Sequence, residues 1–236
     1  MEEAKTYEVR RGRTEIEVPG RDGNIIFVHP SQGPHNYPTV GKGILARGLT
    51  LPIAEQTAYL LHAAYCGPED FKEREEITKI RDLIMKNRWL WSFDQNLWTS
   101  KGVYVVSDPE AIGVSQPLDQ EDLERKLSES PAGSPILYSS DGTIRFAPKG
   151  SYSIGEHTKE SLAKDGFVVA SFGQEGAERL AEVSEEFKDP PKTWGLDIQE
   201  GKSPVQRVTA LDGYYGGLCV GGDCRVDDWG GHAFGV

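Results

Sequence analysis

Histidine and cysteine are scarce in this chain, five and three among 236 residues, so the places where they meet other reactive groups stand out. Residues 29–42 (HPSQGPHNYPTVGK) carry two imidazoles, the hydroxyls of Ser31 and Tyr37 and the Lys42 ammonium. Imidazoles titrate at about 6.5, and two of them six positions apart can act as acid and base or share a metal. His29, His35 and Lys42 are therefore the candidate catalytic residues, with Asp227 or His232 available to close the site. The glycines flanking Lys42 lack the rest of a phosphate-binding loop.

A second set is Glu55, Tyr59, His62 and Cys66, spaced 4, 3 and 4. That spacing stacks a carboxylate, a phenol, an imidazole and a thiol on one face of a helix. They form either a ligand set or the polar face of a helix buried on both sides. The second account is preferred, because only His62 and Cys66 are good metal ligands at this spacing.

The third set is Cys219 and Cys224 around Gly221-Gly222. If the glycines form a two-residue hairpin loop, the cysteines face each other across it and a disulfide is within reach. Zinc is the rival, with His62 and Cys66 completing a Cys3His set. C-x4-C supplies only two of four ligands, so a thiol pair or disulfide is preferred. Asp223, Asp227, Asp228 and His232 could hold a hard cation, yet they read more simply as a solvated strand end.

Two further features carry less. The turn Gly173-Gln174-Glu175-Gly176 could cradle a phosphate, but Glu175 and Glu178 already occupy the helix start and repel an anion. Arg10, Arg11 and Arg13 read as a surface strand. Trp89, Trp91 and Trp98, three of five tryptophans within ten positions, could bind a ring or a partner, or complete a core.

The elements that must position these groups follow from periodicity. Residues 14–18 and 24–28 predict a β-hairpin across Asp22-Gly23, followed by an irregular loop over 29–43, where three prolines oppose both helix and ladder. A helical hairpin is expected over about 52–91, its helices meeting at Gly67-Pro68. Residues 102–106, 136–138 and 143–146 predict strands, with short helices capped by Asp119 and Thr158. Phe167-Val-Val-Ala-Ser-Phe172 reads as a buried strand and 174–187 as an amphipathic helix ended by Pro190-Pro191. Residues 205–236 predict a β-meander. Because helices and strands come in blocks, the expected fold is α+β, a mostly antiparallel sheet with a helical layer. One domain is expected over 1–236, with a possible division at about residue 100.

Charge limits the partners. Lys plus Arg number 26 and Asp plus Glu 37, a net charge of −11, which opposes general nucleic-acid binding. Much of the acid lies on the outward faces of helices. No stretch approaches about 18 uninterrupted apolar residues, so no membrane span is expected. The first thirteen residues lack the apolar core of a secretory signal, and three cysteines fit a reducing, cytoplasmic setting. The expected function is a non-catalytic binding or interaction module that takes a protein partner or self-associates through Trp89, Trp91 and Trp98. The alternative is a hydrolase-like enzyme, metal-assisted or not, with its site on residues 29–42.

Overall fold

The computed structural model describes residues 8–9, 15–85, 88–107, 117–128, 135–213 and 216–236. The basic run at Arg10, Arg11 and Arg13 lies outside the described residues.

The chain folds as α+β around a mixed sheet. The first hairpin pairs β2 (Glu15–Gly20) with β3 (Gly23–His35) across Arg21 and Asp22, and β1 (Glu8–Val9) extends it. Residues 29–43 are not an irregular loop. β3 runs on to His35, and α1 (Tyr37–Leu45) follows, with Asn36 Oδ1 accepting the Thr39 amide at 3.2 Å and Pro38 in the first turn. Asn followed two positions later by Pro is a helix-start signature, since proline lacks only a donor that has no partner there.

α2 (Ala54–Cys66) is enclosed on nearly every side and is followed by α3 (Glu69–Lys72) and α4 (Glu75–Met85). The helical hairpin stops there. Residues expected to extend it to Trp91 instead open β4 (Leu90–Thr99), every residue of which is buried. Trp91-Ser92-Phe93-Asp94 alternates apolar and polar with a period of two, which a strand satisfies and a helix does not. Trp91 and Trp98 are fully enclosed. Their indole N–H groups donate inward, to the His35 carbonyl at 3.3 Å and the Gly222 carbonyl at 2.7 Å.

β4 is flanked by β5 (Gly102–Ser107) and β11 (Val205–Asp212). From β5 the sheet continues through β8 (Ile144–Pro148), β7 (Leu137–Ser139) and β6 (Leu127–Ser128), beside α5 (Gln120–Lys126), capped by Asp119. From β11 it continues through β12 (Cys219–Cys224), β10 (Lys192–Trp194) and β9 (Gly155–Glu156). β13 (Gly231–Gly235) does not close a meander against β12. It inserts between β3, antiparallel, and the start of β4, parallel. The β10–β12 pairing is also parallel.

Phe167 to Phe172 is not a strand but the first part of α7 (Gly166–Ser184), which follows α6 (Lys159–Leu162). Asp165 caps α7 through the amides of Phe167 and Val168, overriding the β-propensity of the apolar run. Gly173 breaks α7 with φ 71°, and the break is electrostatically dressed. Arg145 donates to the carbonyls of Ala170 at 3.1 Å and Ser171 at 3.4 Å, ending the first half. At the start of the second half, a Cβ on Gly173 would stand 3.1 Å from Glu55 Oε1. A cation at a helix C-terminus and an anion at an N-terminus both oppose the end charges. α2 is capped from afar by Asp94, which accepts the Ala54 amide at 2.5 Å and the Ser107 hydroxyl. Burial pushes the Asp94 carboxyl up to about 6 against those two donors.

Candidate functional site

The sheet brings Ser31 and His232 together from positions 201 apart. β3 and β13 are paired through Gly231 opposite His35 and Ala233 opposite Gln32, and the His232 amide donates to the Trp89 carbonyl at 2.8 Å. The ring is thereby held between two strands, and its Nδ1 lies 3.2 Å from Ser31 Oγ. Burial, then the Arg88 charge, lowers the His232 pKa, so the neutral ring can accept the Ser31 proton at Nδ1. No other hydrogen bond to the ring comes from a described residue.

Ser31 opens on a cleft of about 420 Å³. Its walls are His29 and Pro30 of β3, Phe234 of β13 and one face of α4. Lys79, Asp82 and Leu83 share that face because three- and four-residue spacings fall on one side of a helix. His29 stacks on Phe234 with centroids 6.4 Å apart, and burial, aided by Lys79, lowers its pKa. Lys79 is paired with Glu75 at 2.8 Å. Arg88 completes the rim, exposed and without a carboxylate partner among the described residues. The cleft thus offers apolar rings, two neutral imidazoles at or near its wall, a polarised hydroxyl and one unpaired cation.

Other candidate residues lie apart from it. His35 sits at the far end of β3, its ring edge-on to the exposed Trp229 at 4.3 Å and its Nδ1 without a partner. It does not meet His29. Lys42 is exposed on α1. Trp89 is half-buried and edge-on to Trp91. Asp227 binds the Arg225 guanidinium at 2.9 and 3.0 Å and Asp228 accepts the Arg225 amide at 2.7 Å, so both serve the local turn.

The cysteines do not form the expected pair. Gly221 and Gly222 lie inside β12, so Cys219 and Cys224 are on one strand, roughly 16 Å apart at about 3.3 Å per residue. A disulfide needs Cα atoms within about 7 Å, and all three cysteines are free thiols. Gly222 is required by packing rather than by a turn, because a Cβ there would stand 2.3 Å from the Phe167 ring. Burial raises the Cys224 pKa and pushes the Cys66 thiol up to about 11, leaving both protonated. His62 is tied to Glu182 at 2.7 Å. Among the described residues no group of three or more His, Cys, Asp or Glu could hold a metal ion.

A second histidine and hydroxyl cluster provides a contrast. His157 Nδ1 lies 3.2 Å from Ser161 Oγ, and its Nε2 faces the Ser153 carbonyl at 3.1 Å and Thr193 Oγ1 at 3.0 Å. Asp165 stands 3.9 Å away and also receives the Ser153 amide. Nothing in the spacing of these residues announced the cluster. His232, by contrast, was one of the two residues expected to be available to close a site on 29–42, and strand pairing is what joins it to Ser31.

No protein-family model, curated protein or solved structure matches the chain. Among the described residues no helix is long and apolar enough to cross a membrane.

Proposed function

We propose that this protein is a binding module whose cleft between β3, α4 and β13 takes a small anion carrying an apolar group. The observation that carries this reading is Arg88, a cation with no carboxylate partner among the described residues, at the rim of a cleft walled by Phe234, Leu83 and Pro30. A cation at the mouth of an apolar-walled cleft is the polar anchor that a small anionic ligand needs. A small ligand replaces the protein partner expected at Trp89, Trp91 and Trp98, because two of the three are spent on the core. The reading takes residues 1–236 as one domain, supported by β13 joining β3 to β4, and its sheet as predominantly antiparallel, supported by the β2–β3, β3–β13, β4–β5 and β4–β11 pairings. Three free thiols support a cytoplasmic setting. Octanoate and benzoate are the probes. Both should raise the melting temperature of the wild type, and Arg88→Ala should weaken them about 5- to 10-fold in calorimetry. Equal affinity in the variant removes Arg88 from the site and the reading with it.

The Ser31–His232 hydrogen bond favours a second reading, a hydrolase acting on esters of the same acids. Ser31 Oγ would attack the ester carbonyl as its proton passes to His232 Nδ1, giving an oxyanion in the cleft that Arg88 lines. Collapse would expel the alcohol, which recovers the proton, and water would then release the acid from Ser31. Turnover of p-nitrophenyl butyrate, and labelling of Ser31 by a fluorophosphonate, separate this reading from binding alone.

A further inference from the structure

The turn of the first hairpin overhangs a separate cleft of about 340 Å³ floored by α2. Glu55 lies at its base and is only 5% exposed. A carboxylate this deep should be held by short bonds, and charge-assisted N–H···O contacts close to about 2.7–2.9 Å. None does so here. Tyr59 donates its hydroxyl at 3.3 Å, Arg21 Nη1 stands 3.4 Å from Oε1 and Nη2 3.5 Å from Oε2, and Arg145 Nη2 is 4.0 Å away. Arg145 is already committed to the carbonyls that end the first half of α7.

Arg21 presents its fork to both oxygens but stands about half an ångström beyond that range. Its backbone belongs to a two-residue turn between Gly20 and Gly23. Its side chain is 58% exposed and is shared with Asp22 at 3.7 Å. Arg21 is thus a loosely held internal stand-in for a planar cation. Ile25 and Ile53 on the walls of the cleft suit an apolar stem behind such a head.

We infer that this cleft binds a small guanidinium or amidinium compound with a short apolar or aromatic stem, its fork taking both Glu55 oxygens in place of Arg21. The site is independent of the cleft that Arg88 lines. A free ligand, unlike Arg21, is not tethered and can close to bonding distance.

Benzamidine and ethylguanidine, titrated into the full chain by calorimetry and followed in amide spectra, test this. Both should bind 1:1, shifting the amides of Gly23, Asn24 and Gln56. Arg21→Ala removes the competitor and should tighten binding about tenfold, whereas Glu55→Gln should weaken it at least tenfold. Should Glu55→Gln fail to fold, Arg21→Ala and the shift map still decide. The inference is overturned by an absence of binding, by shifts confined to other regions, by unchanged or weaker affinity in Arg21→Ala, or by butylamine binding equally well.

Discussion

His157 and His232 are both enclosed imidazoles bonded to a hydroxyl, and they differ in what is left over. Around His157 the serine, the threonine, a carbonyl and the Asp165 carboxylate occupy both ring nitrogens. His232 has Ser31 at one nitrogen and no described partner at the other, beside a cleft large enough for a ligand. A saturated cluster can only hold the fold together, since any reaction would cost a buried bond. Spare bonding capacity next to accessible volume, more than the hydrogen bond itself, separates a reactive pair from a structural one.

The sharpest way to break this contrast is His157→Ala. It should cost about 3 kcal/mol in urea unfolding, because Thr193 and Asp165 lose a buried partner, and it should leave octanoate binding unchanged. A cost below about 1 kcal/mol would make the two histidines equivalent. His232→Ala should cost about 1 kcal/mol or less in stability, and any esterase turnover should drop about 100-fold, as should that of Ser31→Ala. A stability loss as large as that of His157→Ala would turn the Ser31 pair into a second clamp.

The smallest effect is in the pH dependence. The folded chain holds His232 below its ordinary value, so the unfolded chain takes up the proton first as the pH falls. The stability supplied by the neutral ring is complete above about pH 6.5 and is lost beneath it. Between about pH 6.5 and 5 the wild type should therefore lose stability relative to His232→Asn in urea unfolding. Asp94 acts in the opposite sense. Its carboxyl, raised to about 6, keeps its proton in the fold, so stability falls as the pH rises from about 4 to 6. Both proteins share that slope, and it cancels in their difference.

Local signals in the sequence were read well where they were chemical. Asp119 and Thr158 cap α5 and α6, and the Asp-Gly turn closes the first hairpin. Signals failed where a distant partner decides. Phe167 to Phe172 has strand composition, yet Asp165 starts a helix there and Arg145, from another strand, ends it. Gly221-Gly222 imitates a turn, whereas the Phe167 ring demands a bare backbone at Gly222 in β12. The same applies to the site. His29 and Ser31 were visible in their own segment and His232 as a residue that could close it, but strand pairing chose His232 over Asp227, and Arg88 and α4 join only through packing. Glu55 was legible as part of a polar helix stripe, while the looseness of its contacts is a matter of distances that composition does not encode.

The position of β13 bears on how the chain is made. The sheet between the first hairpin and β4 is incomplete until residues 231–235 slot in, some two hundred positions after β3 began. During synthesis the edge of β3 must wait, unpaired, while some two hundred further residues are made. Such an edge is a template for intermolecular pairing. Nascent chains arrested before residue 231 should therefore depend on holdase chaperones, and the ligand cleft, whose wall includes Phe234, comes into being only when β13 arrives.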